Sequence, residues 1–122
     1  MLGYFMNPYI AVALGGAIGA CLRFAINEWL GSPQATFAVN AVGSLMLGVI
    51  LAYFSNGNGS KELTLFLGTG ILGAFTTMSA FSIETIEIFS KDQIAGATYF
   101  GATVFLCPLL AFLGWKVVEF TA

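Results

Sequence analysis

From Trp29 to Ser60 the chain carries no charged side chain, and the stretches Leu63 to Ile83 and Ile94 to Trp115 are equally bare. A helix needs about 20 mostly apolar residues to cross the hydrocarbon core of a bilayer. Charged residues make up 8 % of the sequence and hydrophobic ones 58 %, whereas soluble domains are about 25 % charged. At 122 residues a soluble domain would leave too large a share of its side chains at the surface to hide that much apolar material. Lipid is therefore the expected solvent, and the bilayer the first expected partner. Several function classes fall away with the composition. There is no His, and Cys21 and Cys107 are far apart, so neither a His/Cys metal centre nor a Ser-His or Cys-His nucleophile can be assembled. Four Lys and Arg residues make no basic surface for nucleic acid. An enzyme is not expected.

The pattern predicts an all-α membrane protein, a single transmembrane domain over 1–122 with spans at about 9–30, 35–54, 63–89 and 94–118. Turn-forming clusters separate them: Gly31-Ser32-Pro33, then Ser55 to Ser60, then Lys91-Asp92. Tyr9, Trp29, Tyr53 and Trp115 lie near span ends, as an interfacial aromatic belt requires. The N-terminus has no basic segment ahead of its apolar run, so it reads as a span rather than a cleaved leader. Cys21 and Cys107 fall inside spans and read as small apolar filler.

Orientation follows the excess of Lys and Arg on cytoplasmic loops. Lys61 and Lys116 fall on one side of this topology, Arg23 and Lys91 on the other. With no bias, the chain either inserts both ways up or is oriented by another factor. Insertion both ways would let two copies pair about a two-fold axis in the membrane plane, the geometry of inverted repeats.

Polar groups inside spans are costly, so each is a candidate functional residue. Arg23 stands four residues on from Gly19, Gly15 and Ala11 in turn. It either points into protein from that packing face, attracting an anion, or snorkels to the interface. Thr36, Asn40, Ser44 and Gly48 share a face of span two, as helix glue or as pore lining. Span three holds Gly68, Gly70 and Gly73 and then Thr76-Thr77. Either the helix breaks at mid-membrane and frees carbonyls able to bind a cation, or the glycines serve close packing and the hydroxyls bond back to their own helix. Beyond it Met78 and Phe81 share one face, Ser79 and Ser82 the next. Glu84 and Glu87 either line the mouth or solvate the interface. Pro108 is expected to kink span four, where Tyr99 and Thr103 extend a polar line.

Three blocks then make the chain resemble a known family, the Fluc (CrcB) fluoride channels. They are Gly15 to Phe24 (GGxxGAxxR), Thr36 to Asn40 with Gly43, Ser44 and Gly48, and Gly73 to Ser82 (GxxTTxSxFS) followed by Glu84. The resemblance spans essentially the whole sequence. It implies an antiparallel dual-topology homodimer in the cell inner membrane, with two fluoride pores and passive export of fluoride. It also implies a structural Na⁺ at the dimer centre, held by the carbonyls of Gly73 and Thr76 from both chains. The family's pore Asn falls on Asn40 and its vestibule Arg on Arg23, with Glu84 beside it. The hydroxyl line maps to Ser79 and Ser82, and onward to Tyr99 and Thr103. Two departures stand out. The family's pair of pore phenylalanines becomes Met78 and Phe81, and Ala80 stands where a Thr is usual. They leave open a non-conducting partner subunit of a heterodimeric channel. Another class, the small multidrug-type dual-topology exporter, would need an early in-span carboxylate, yet the first charge here is Arg23.

Overall fold

The computed structural model describes residues 7–121. The start of the N-terminal run, weighed above as a leader, lies outside them. Four helical stretches are long and apolar enough to cross a membrane: Pro8–Leu30, Gln34–Ser55, Lys61–Lys91 and Gln93–Thr121. No strand occurs among the described residues.

Each boundary has a local cause. Helix α1 (Pro8–Leu30) opens with Asn7 Oδ1 accepting the Tyr9 amide at 2.7 Å and with Pro8 in the first turn, where no amide donor is needed. It closes at Gly31, whose φ of 75° suits glycine. Helix α2 (Gln34–Ser55) ends ahead of Gly57 and Gly59, both at positive φ. Ser60 caps the short α3 (Lys61–Thr64) through the Leu63 amide at 3.1 Å. A π-helical segment, Leu65–Leu72, and the single turn α4 (Gly73–Phe75) follow. Thr76 and Thr77 are extended, with ψ of 155° and 117°. Helix α5 (Met78–Lys91) then runs to Asp92, whose carboxylate caps α6 (Gln93–Thr121) through the amides of Ile94 and Ala95. Helix α6 continues through Pro108 as one element.

The helices pack as two close pairs, α1 on the π segment and α2 on α6. The small-residue face of α1 is the buried one: Ala11, Gly15 and Gly19. A Cβ on Gly70 would stand 2.9 Å from Gly15 Cα, so these backbones touch. The α2–α6 contact has the same basis at Gly48, which faces the Ala111 carbonyl, and at Gly114, which faces Leu45 and Val49. With no water to drive helices together, such close approach supplies the association. Gly48→Ala should therefore destabilise by about 1–3 kcal/mol, because backbone rather than a flexible side chain must yield. Gly16 faces open space, and Gly16→Ala should leave stability unchanged or raise it by up to about 1 kcal/mol. Thermal unfolding in detergent compares the two; equal melting temperatures would remove the packing argument.

Candidate functional site

The site is built around the extended pair Thr76-Thr77. Asn40 Oδ1 accepts the Thr77 amide at 2.7 Å, and Asn40 Nδ2 donates to the Thr77 carbonyl at 3.0 Å. One buried side chain thus takes both backbone groups of a residue that no helix satisfies. Thr77 Oγ1 in turn accepts the Ala80 amide at 3.2 Å and caps α5. In a continuous helix the Thr77 and Ala80 amides would serve the carbonyls of Gly73 and Thr76. Asn40 and the Thr77 hydroxyl divert both. The neighbouring Ala74 carbonyl receives Arg23 Nε at 3.0 Å, so Arg23 points into the protein.

The carbonyls deprived of amide donors sit at the C-terminal, partially negative end of the first half of the third span. Hard cations favour oxygen ligands, so this donor set fits Na⁺. Among the described residues no group of three His, Cys, Asp or Glu could hold a metal.

Two cavities flank Thr77. The larger, about 480 Å³, has Asn40, Thr77, Met78, Phe81, Thr103 and Cys107 in its lining. The smaller, about 150 Å³, has Arg23, Thr36, Thr77, Ala80 and Glu84. Phe81 is 4 % exposed, its ring stacked on Phe100 at 5.8 Å and tilted against Tyr99 at 5.5 Å. Met78, one turn earlier, is 72 % exposed. Glu84 accepts two hydroxyls at 2.8 Å, from Thr36 to Oε2 and from Tyr99 to Oε1. The carboxylate therefore fixes where those two protons point.

The structure distributes the candidate residues as follows. Asn40, Met78, Phe81 and Thr103 meet at the larger cavity. Arg23 and Glu84 meet at the smaller one. Tyr99 touches Phe81 and Glu84. Ser79 and Ser82 are exposed and line neither of these two cavities. Ser82 Oγ donates back to the Met78 carbonyl at 2.9 Å, and Ser79 Oγ lies 3.3 Å from Thr77 Oγ1. Thr76 Oγ1 likewise donates to the Leu72 carbonyl at 3.0 Å. Sequence reasoning missed Cys107 as a lining residue. The signal was available: Tyr99, Thr103 and Cys107 recur every fourth residue, on one face of α6.

Residues 10–115 match a family model described as CrcB-like protein, Camphor Resistance (CrcB). The chain is similar to the fluoride-specific ion channel FluC 2 of Bacillus subtilis, 41 % identical over 112 residues that cover 89 % of this chain and 86 % of the relative. It is 40 % identical over 119 residues to a fluoride-specific ion channel FluC of Thermus thermophilus, covering 92 % and 94 %. The FluC of Oceanobacillus iheyensis is 43 % identical over 118 residues, covering 92 % of each.

Proposed function

The chain belongs to the CrcB family and is a multi-pass membrane protein, and from that premise we propose that it is a fluoride-selective passive channel of the inner membrane. Two copies in opposite orientation form the working unit, with two pores. The third span breaks at mid-membrane in each copy. The Gly73 and Thr76 carbonyls of both copies hold a Na⁺ at the centre, which supplies fixed positive charge and joins the chains.

The observation that carries this reading is the double hydrogen bond from Asn40 to Thr77. It supports the break, it draws the Thr77 amide away from the Gly73 carbonyl, and its amide donor stands beside the larger cavity. Asn40 Nδ2 has two hydrogens and spends one on Thr77, so the other is available to an anion. Thr103 adds a buried hydroxyl with no partner of its own, and Phe81 adds a ring whose edge is the positive end of its quadrupole. Fluoride sheds water and meets donors in its place; conduction requires that they replace hydration without trapping the ion. Arg23 draws the anion into the smaller cavity. Glu84 orients the Thr36 and Tyr99 protons. No bond is made or broken covalently, and voltage and gradient alone drive the flux.

The test is fluoride efflux from liposomes holding the purified protein, with valinomycin clamping the potential and chloride as the comparison ion. Fast fluoride release without chloride release is expected, and replacing sodium with N-methylglucamine should depress it. Release that needs a counter-ion would indicate an exchanger. No release from well-folded dimer would overturn the assignment of a conducting channel.

A further inference from the structure

A helix that ends leaves its last four carbonyls without amide partners. Ahead of the extended Thr77 those belong to Gly73, Ala74, Phe75 and Thr76. Arg23 Nε takes the Ala74 carbonyl at 3.0 Å. The register that brings the two together starts in the small residues of α1. Gly15 lies against Phe66 and Gly70, Gly19 against Ile71, and Arg23, one turn on, against Ala74. Glu84 lines the same cavity as Arg23 but accepts Thr36 and Tyr99. A second grip comes from α2. Gly43, about one turn beyond Asn40, is buried, and a Cβ there would collide with the Thr76 methyl and stand 3.3 Å from Phe75 Cδ2. Thr76 cannot simply swing that methyl aside. Rotation about its Cα–Cβ bond also moves Oγ1, which donates to the Leu72 carbonyl at 3.0 Å. Peptide units are planar and stiff. With the Ala74 oxygen and the Thr76 side chain both held, the carbonyls of Gly73 and Thr76 keep little freedom to turn.

We propose that Arg23 and Gly43 are positioning residues, which hold the Gly73 and Thr76 carbonyls in one arrangement and so set how tightly the protein binds sodium. This rests on the sodium reading above. Neither side chain supplies an oxygen ligand: a guanidinium has no acceptor, and glycine has no side chain. Arg23 acts through Ala74, and Gly43 acts by leaving room for Thr76.

The test titrates the full-length protein in detergent with sodium chloride, replacing N-methylglucamine chloride at constant ionic strength, and follows the melting temperature. An ion that binds the folded state raises that temperature, so affinity is read without flux. Gly43→Ala should need about ten- to hundredfold more sodium for the parent's rise, the usual cost of losing a group that orients a metal ligand. Adding Thr76→Ser removes the colliding methyl and keeps the hydroxyl, and should recover most of that loss. Arg23→Met matches the arginine chain out to Nε without a donor, and should weaken sodium binding to a similar degree. Arg23→Lys reaches one atom farther than Nε and can donate, so it should weaken binding less than Arg23→Met. In liposomes, Gly43→Ala should raise the sodium needed for half-maximal fluoride efflux and recover the parent's rate at saturating sodium. Variants that melt lower in N-methylglucamine yet keep the parent's sodium response would overturn the positioning role and leave the sodium reading standing. Tighter sodium binding by Arg23→Met would also overturn it, because the guanidinium would then act by repulsion. A parent protein whose melting ignores sodium would overturn the sodium reading and this proposal with it.

Discussion

Asn40→Asp is expected to reduce fluoride efflux by about a thousandfold while the protein still folds as a helical membrane protein. The two side chains have the same shape, so an aspartate can still accept the Thr77 amide as Asn40 Oδ1 does. It cannot donate, so an oxygen faces the Thr77 carbonyl where Nδ2 now donates at 3.0 Å. That mismatch costs about 1–3 kcal/mol. The larger effect falls on the anion. A unit negative charge about 4 Å away raises its energy by about 4 kcal/mol at an effective dielectric constant of about 20, and each 1.36 kcal/mol is about tenfold in rate. Asn40→Ala separates the two contributions. It removes both bonds to Thr77 without adding charge, so it should melt at lower temperature yet lose only about ten- to hundredfold in efflux. If Asn40→Asp keeps more than about a tenth of the parent rate, fluoride does not pass near Asn40, and that residue serves only to hold the extended pair.

This outcome depends on a contact that no local pattern in the sequence announces. The helix ends were legible because their causes are local. Gly31, Ser60 and Asp92 act within a few residues of themselves, and a one-dimensional reading sees that range. The packing face of α1 was legible for a similar reason, since four-residue spacing puts Ala11, Gly15 and Gly19 in one line. The π form of Leu65–Leu72 was not. The glycines of this stretch marked something unusual, but the wider turn lies where Gly70 meets Gly15 and Ile71 meets Gly19, and that register between two helices is not written in either one alone. The partners of the polar residues are set the same way. Asn40 and Thr77 are 37 residues apart, Thr36 and Glu84 are 48, and Arg23 and Ala74 are 51. Which group each side chain meets depends on how far the helices rotate about their axes. The sequence narrows that to a face and leaves the partner open. The serines make the point in reverse: Ser79 and Ser82 have the right chemistry and the right spacing, and the rotation of α5 turns both outward in the single chain.

Met78→Phe is expected to raise fluoride efflux by about five- to tenfold, with chloride still excluded. Phe81 packs against Phe100 and Tyr99, so its ring is held in place where it lines the cavity. Met78, one turn away, lines the same cavity but stands largely free of packing. A thioether is polarizable but has no positive edge to offer an anion. A phenyl ring has one, and oriented aromatic contacts are worth about 0.5–1.5 kcal/mol beyond their area. Spent on an ion in transit, that energy lowers a barrier by about tenfold at most. On the proposed mechanism the fixed donors at Asn40 and Thr103 keep chloride outside, and the substitution leaves both untouched. Folding is not at stake, since an exposed site away from buried contacts shifts stability by no more than about 0.5 kcal/mol. Met78→Leu supplies the comparison: it has similar bulk, no ring and no sulfur. A gain with Phe and none with Leu assigns the effect to the ring edge. Equal gains would assign it to removal of the sulfur, and a loss with Phe would mean that the slender methionine keeps the route open and a second ring closes it.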